Sequence, residues 1–265
     1  ADVDGIYEVR WQYGAKDEVI VTSFHGKDGQ LREAADGIAL QRFAHDRFGN
    51  LIEIRLYGTD EQLKDGRDTG IAIIKQAFDD WGRRVKLSFL GADEQPKERK
   101  GPGFATVRFS FDDQGNKVEE AYFGTDDQRK RDQSGVAIYR WKFDKFGRIL
   151  EEQFLGPDEK LTERGPKAIA LIRHRYDETG NEIETVHFGV EDQLKEDKEQ
   201  GIAIVRWKYD GNGNVIERRN IGADAQLKED KDGVAVIIWE YDDKGKIVKA
   251  TSLDRRQKVV KETRF

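Results

Sequence analysis

Residues 209–217 read YDGNGNVIE and bring Asp210, Asn212, Asn214 and Glu217 into near-alternating positions. Oxygen-bearing side chains at that spacing suggest a calcium loop, in which several oxygens converge and a bidentate Glu closes the shell. The match fails in detail, because Gly213 is displaced from the loop position and Glu217 comes too early. Equivalent segments elsewhere read DRFGN (46–50), DDWGR (79–83), DKFGR (144–148) and DETGN (177–181), so the middle ligand position is Phe48, Trp81, Phe146 and Thr179. Only the Asp and the Gly persist, and both are turn residues. An Asp at the first position caps a turn through its side chain, and Gly takes the left-handed conformation.

What carries these turns is a repeat. The segment GIAIVRWKYD (201–210) recurs as GIALQRFAHD (37–46), GIAIIKQAFD (70–79), GFATVRFSFD (103–112), GVAIYRWKFD (135–144), AIALIRHRYD (168–177) and GVAVIIWEYD (233–242), with a degenerate copy, GIYEVRWQYG (5–14), in front. Eight copies start 32 or 33 residues apart. A second Gly, at 26, 58, 91, 124, 156, 189 and 222, opens phrases such as GTDEQL (58–63) and GADAQL (222–227). In the seventh copy Ala203, Val205, Trp207 and Tyr209 alternate with Ile202, Ile204, Arg206 and Lys208, which is the period of a strand. Each copy therefore predicts a β-hairpin with strands of roughly nine residues. The connector, a Gly-x-Asp-x-Gln-Leu phrase and a charged run, leaves room for a turn of helix. The expected fold is all-β, an open or gently coiled array of about eight hairpins, in one repeat domain over 1–265 with divergent end copies. Pairing in one sheet would advance the array by about 9.5 Å per copy. The alternative, an eight-bladed propeller-like closed ring, needs more strands per blade than 33 residues supply.

Composition bounds the function. Charged residues make up 37% of the 265 positions and both signs are interspersed, for a net charge of −6. That pattern does not suit a nucleic-acid footprint. No apolar run reaches the length of a membrane helix. Without Cys there is no disulfide framework or thiolate site. The chain begins at Ala1 and holds no Met. An exported protein whose signal peptide has been removed fits this, as does a trimmed chain, and the expected location is secreted, periplasmic or cell-surface.

The segments WKYDGNGNV (207–215) and HRYDETGNEI (174–183) resemble the YD repeats of RHS-type proteins, built on Y-x-Y-D-x-x-G-N. The likeness touches every copy but only through this short motif, and YD units are typically shorter. MORN-like hairpin arrays are similar in their glycine punctuation. Both resemblances imply a β-hairpin scaffold and neither implies an enzyme.

Three further patterns are candidates for a site. Arg10, Arg42, Lys75, Arg108, Arg140, Arg173 and Arg206 share one repeat position, and Glu53, Glu119, Glu151, Glu184 and Glu217 share another eleven residues on; Lys86 and Lys249 replace the Glu in two copies. In an unbulged hairpin these charges stand directly opposite and form a structural ladder; a bulge at the turn Gly would make them diagonal. The apolar residues Ile52, Val85, Val118, Leu150, Ile183, Ile216 and Val248 favour the unbulged register, sharing a face with the aromatic stripe. That stripe (Trp11, Phe43, Gln76, Phe109, Trp141, His174, Trp207, Trp239, with Tyr13, His45, Phe78, Phe111, Phe143, Tyr176, Tyr209 and Tyr241 beside it) is expected to be core. The four histidines, His25, His45, His174 and His187, are scattered over repeat positions, so no metal site follows. With no phosphate loop, nucleophile elbow or HExxH, no catalytic, cofactor or metal residue is assigned. The expectation is a non-enzymatic structural or protein-interaction scaffold, binding a protein or its own copies. Its candidate surface is Phe48, Trp81, Phe146, His174 and His187. The alternative is a carbohydrate- or cell-envelope-binding module. An enzyme hidden between repeats would involve the residues that break the pattern: Lys75, Gln76, Lys86, His174 and His187.

Overall fold

A computed structural model describes residues 5–265, and among them every regular element is a strand. The chain divides into two compact units, Ala1–Phe111 with Glu119–Gln133, and Asp112–Val118 with Ser134–Phe265. The first unit holds β1 (Glu8–Tyr13), β2 (Val19–His25), β3 (Leu40–His45), β4 (Leu51–Tyr57), β5 (Ile73–Phe78), β6 (Arg84–Leu90) and β7 (Thr106–Phe111). β8 (Lys117–Phe123) is shared between the two chain ranges. The second unit holds β9 (Ile138–Phe143), β10 (Ile149–Leu155), β11 (Leu171–Tyr176), β12 (Glu182–Phe188), β13 (Ile204–Tyr209), β14 (Val215–Ile221), β15 (Val236–Tyr241), β16 (Ile247–Leu253) and β17 (Val259–Arg264).

In the first unit each strand from β1 to β7 pairs antiparallel with the next. The same holds from β9 to β17 in the second. Each unit is thus an open array of hairpins, as expected. The propeller alternative is not found: a blade would stop pairing at its edge, whereas within each unit successive hairpins hydrogen-bond to one another.

The hairpin register differs from the expected one. Tyr209 pairs with Val215 and Lys208 with Glu217, which leaves Ile216 as an extra residue on the returning strand. Ile20, Ile52, Val85, Leu150, Ile183 and Val248 are left over in the same way. The apolar residues that favour an unbulged register are themselves the bulge. The cause lies in the turn. Asp210 Oδ1 accepts from the amides of Asn212 and Asn214 at 2.9 Å each, and Gly213 follows at φ 84°. That turn spans five residues and returns the chain one position out of phase.

The strands are six or seven residues long, shorter than nine, because the Gly-Ile-Ala start of each copy leaves the regular ladder. It keeps its hydrogen bonds: Ala39 N donates to Tyr57 O at 2.9 Å, and Phe24 N donates to Ala39 O at 2.9 Å. These starts form the core. Ile38, Ala39, Ile71, Ala72 and Ile73 are sealed in the first unit, and Val136, Ala137, Ile138, Ile169, Ala170, Ile202 and Ala203 in the second, where Phe154 packs with Val136 and Ile169. The aromatic stripe is therefore not the core. Trp141, Trp207 and Trp239 are half-buried and Trp11 is exposed. Burial of aliphatic side chains against small Ala is densest at the hairpin bases, and it thins toward the tips.

The connector is a second tight turn, with no helical turn. Gly58 N donates to Gln62 O at 3.0 Å, Glu61 N donates to Gly58 O at 3.2 Å, and Asp60 Oδ1 accepts from Gln62 N at 3.1 Å. Glu61 sits at φ 55°, a left-handed conformation that costs a non-glycine residue about 1–2 kcal/mol. The acids at this place (Glu61, Asp127, Glu159, Asp192) each meet a strand arginine, Arg42, Arg108, Arg140 and Arg173, at 3.1, 2.6, 3.3 and 3.0 Å. In the last copy Asp254 replaces the connector Gly and makes the tip-type turn, accepting from Arg256 N and Lys258 N at 2.8 Å each. The segment VVKETR then pairs with β16 as β17.

Candidate binding surface

The turn aspartates are fully engaged as turn caps. Asp210 also accepts from Asn214 Nδ2 at 2.9 Å, and Asp46 and Asp112 bind Asn50 and Asn116 in the same manner. At Asp177 the hydroxyl of Thr179 adds a further bond, and these donors hold the carboxyl down at about 2. No group of three acidic or histidine ligands converges among the described residues. Residues 210–214 are a turn that joins β13 to β14.

The charge ladder exists, but it runs between hairpins. Within a hairpin Arg206 faces Arg219; across to the preceding hairpin it faces Glu184. Arg206 Nε reaches Glu184 at 2.6 Å, and Arg175, on the glutamate's own hairpin, reaches it at 3.2 Å. Glu151 lies between Lys142 at 2.6 Å and Arg173 at 3.0 Å. Glu151 and Glu184 are each clamped by one cation from their own hairpin and one from the next, and the Glu184 side chain is only 10% exposed. A parallel set ties connectors 31 or 32 residues apart: Lys64 to Glu33, Lys97 to Asp65, Lys130 to Glu98 and Lys195 to Glu163, with Lys228 and Glu196 at 3.1 Å.

The opposite face carries the aromatics, and it too bridges hairpins. The hydroxyls of Tyr176, Tyr209 and Tyr241 donate to the carbonyls of Ile149, Glu182 and Val215 on the preceding hairpin, at 2.9, 2.8 and 2.8 Å. Arg83 lies over Phe111 at 4.6 Å and Arg148 over Tyr176 at 4.8 Å.

At the tips Phe48, Trp81 and Phe146 are 71%, 79% and 70% exposed. Each ring has a cation against it: Arg47 over Phe48 at 4.5 Å, Arg83 over Trp81 at 4.8 Å, and Lys145 over Phe146 at 4.9 Å. Phe48 and Trp81 belong to the first unit and Phe146 to the second.

The histidines are not with them. His174 sits inside the aromatic face, with Nδ1 2.6 Å from Glu182 and Nε2 3.3 Å from Glu152. Burial opposes its charge, but hydrogen bonds to the two carboxylates prevail and raise it to about 9. His187 is pushed down by burial and donates from Nδ1 to the Ile202 carbonyl at 3.1 Å. Gln76 also turns inward, donating to Leu51 O at 3.0 Å and accepting from Arg84 at 3.0 Å. Lys75 and Lys86 do come together, at a cavity of about 380 Å³ lined also by Ser88, Phe89, Pro96, Thr106 and Asp127. Sequence reasoning marks both as pattern breakers, and the register within their hairpin sets Lys86 opposite Ala77 and diagonal to Lys75.

No family model matches the chain, and no curated protein does. Among solved structures it is similar to TcdB2-TccC3 without its hypervariable C-terminal region, at 16% identity and a TM-score of 0.31, over 92% of this chain and 14% of that one. It is similar to TcdB2-TccC3 itself at 15% identity and a TM-score of 0.34, over 93% and 14%. A Photorhabdus luminescens Tc holotoxin pore follows at 12% identity and a TM-score of 0.31, over 93% and 13%. The chain thus spans about a seventh of the length of the solved chains it matches.

Proposed function

We propose that the chain is a non-enzymatic scaffold that binds a protein partner through its hairpin tips. One observation carries the reading: Phe48, Trp81 and Phe146 are exposed on turns whose backbones are pinned by Asp46, Asp79 and Asp144. Large aromatics held out on rigid turns bury much area at little entropic cost, which is how interface anchors work. The adjacent Arg and Lys supply polar contacts around each ring. The strongly shifted groups are engaged internally, His174 by two glutamates and Asp177 by its own turn.

The test is site-specific photo-crosslinking from positions 48, 81 and 146, with positions 179 and 212 on the aromatic-free tips as controls. A discrete protein adduct from the first set, absent from the controls, supports the reading. Equal labelling from both sets, or none, defeats it. An adduct of twice the chain mass identifies self-association. Trp81 is the most exposed of the three rings, so a glycan-binding role predicts a Trp fluorescence shift across a glycan panel with no protein adduct.

A further inference from the structure

The cavity at Lys75 and Lys86 occupies the rung where a ladder carboxylate is missing. In the equivalent place on other hairpins a Glu is clamped from both sides, as Glu151 and Glu184 are. Here the residue is Lys86. Its partner within the hairpin is Ala77, and its partner on the next hairpin is Arg108. Among the described residues Lys86 makes no ion pair. The nearby acids are already committed: Asp127 holds Arg108 through both oxygens at 2.6 and 2.7 Å, and Glu53 lies 3.7 Å from Lys75 and 2.5 Å from Arg55. Ser88 stands opposite Lys75 and accepts from the Thr106 hydroxyl at 3.2 Å, so it keeps its own proton for an incoming acceptor. Phe89, Leu90 and Pro96 give the cavity an apolar wall.

We propose that this cavity binds an aliphatic carboxylate supplied in trans. The acidic side chain of a peptide segment on the bound partner is its source, in the place that Glu fills on neighbouring rungs. Lys86 and Lys75 provide the charge, the Ser88 hydroxyl a hydrogen bond, and the apolar wall packs the methylenes. The carboxylate is the expected anion because the fold itself seats one between cations of the same strands elsewhere. The source in a partner chain rests on the protein-binding reading above. The site itself does not, and its test uses small probes that need no partner and leave the tips untouched.

The experiment is an NMR titration of the full chain labelled with 13C at lysine. The probes are glutarate, the blocked peptide acetyl-Gly-Glu-Gly-amide and its Gln counterpart. The expected result is a saturable shift of the Lys86 and Lys75 Cε signals by both carboxylates, in the millimolar range, with the Gln peptide silent. In Lys86→Ala and Lys86→Glu chains that keep the wild-type spectrum elsewhere, affinity falls at least about tenfold. Tighter binding of the Glu peptide than of glutarate assigns the source to an acidic side chain. The reverse order assigns a free dicarboxylate to the same site. Absence of a saturable shift, a shift equal for the Gln peptide, or unchanged binding by Lys86→Glu overturns the proposal.

Discussion

Lys86 and Lys249 stand at the same repeat position, on the returning strands of the third and eighth copies, where Glu53, Glu151, Glu184 and Glu217 stand in others. Their surroundings differ. At Lys249 the residue facing it within the hairpin has reversed sign with it, Glu240 at 3.2 Å; across to β17 it faces Arg264, and Glu262, diagonal to it, reaches it at 3.2 Å. Those two glutamates hold the Lys249 ammonium above its ordinary value. At Lys86 the two neighbouring positions are Ala77 and Arg108. One rung was rebuilt, with two carboxylates against its lysine, and the other was left open. His174 is a rebuilt case on the opposite face, since it replaces an aromatic and has Glu152 and Glu182 against its two nitrogens. A pattern break that the neighbours answer is structural; one that they leave unanswered is a place for something else to bind.

The sharpest way to break this contrast is to create a second open rung. Glu184→Lys would set a third cation beside Arg175 and Arg206, in place of a clamp now nearly shielded from solvent. Both arginines are well exposed, which limits the loss, and a destabilisation of roughly 1–3 kcal/mol is expected by urea unfolding. A loss below the range of ordinary surface changes would mean that the ladder does not tie hairpins together, and that the open rung at Lys86 is no anomaly.

The next effect depends on pH. His174 has a folded-state value of about 9 against an ordinary 6.5, so it takes up a proton on folding between those values. Its contribution is fully present below 6.5 and is lost as pH rises through about 9. The melting temperature of the native chain should fall between these pH values, and that of His174→Gln should change less. An NMR titration of the ring should place its midpoint near 9; a midpoint near 6.5 would show that the two glutamates do not hold it. Lys249→Glu comes after it in size. It would gather three carboxylates on exposed strands and lower the melting temperature, with partial recovery in the Glu240→Lys/Lys249→Glu double variant.

The sequence made the repeat, the antiparallel hairpins and the turn role of Asp and Gly legible, because each copy restates them. It showed Lys75, Lys86 and His174 as exceptions for the same reason. The bulge was hidden because Ile216 and its equivalents are apolar, and an apolar residue fits either register. That one-residue error moved Arg206 from a true partner on the preceding hairpin, Glu184, to an apparent one, Glu217, within its own. The core was misplaced for a different reason. Side-chain size pointed to the Trp and Tyr stripe, whereas Ile71, Ala72 and Ile73 seal the interior, small Ala allowing close backbone approach. His187 reads as a candidate surface residue because it breaks the repeat pattern; its bond to Ile202 O takes it inside.

The smallest effect is the most informative one about the open rung. Lys86→Glu would restore the residue that the other rungs carry, with Arg108 opposite it on β7 and Lys75 diagonal to it on β5. A cross-strand pair of opposite charge contributes roughly 0.2–1 kcal/mol, so a gain of about that size is expected in unfolding experiments, reduced by salt. The same substitution at a rebuilt rung, Lys249→Glu, lowers stability, so one chemical change at equivalent repeat positions should carry opposite signs. The sign at Lys86 is decided by whether its ammonium is already satisfied within the chain. If Lys86→Glu destabilises the fold, the lysine is held by neighbours as Lys249 is, the rung is closed, and no carboxylate is wanting there.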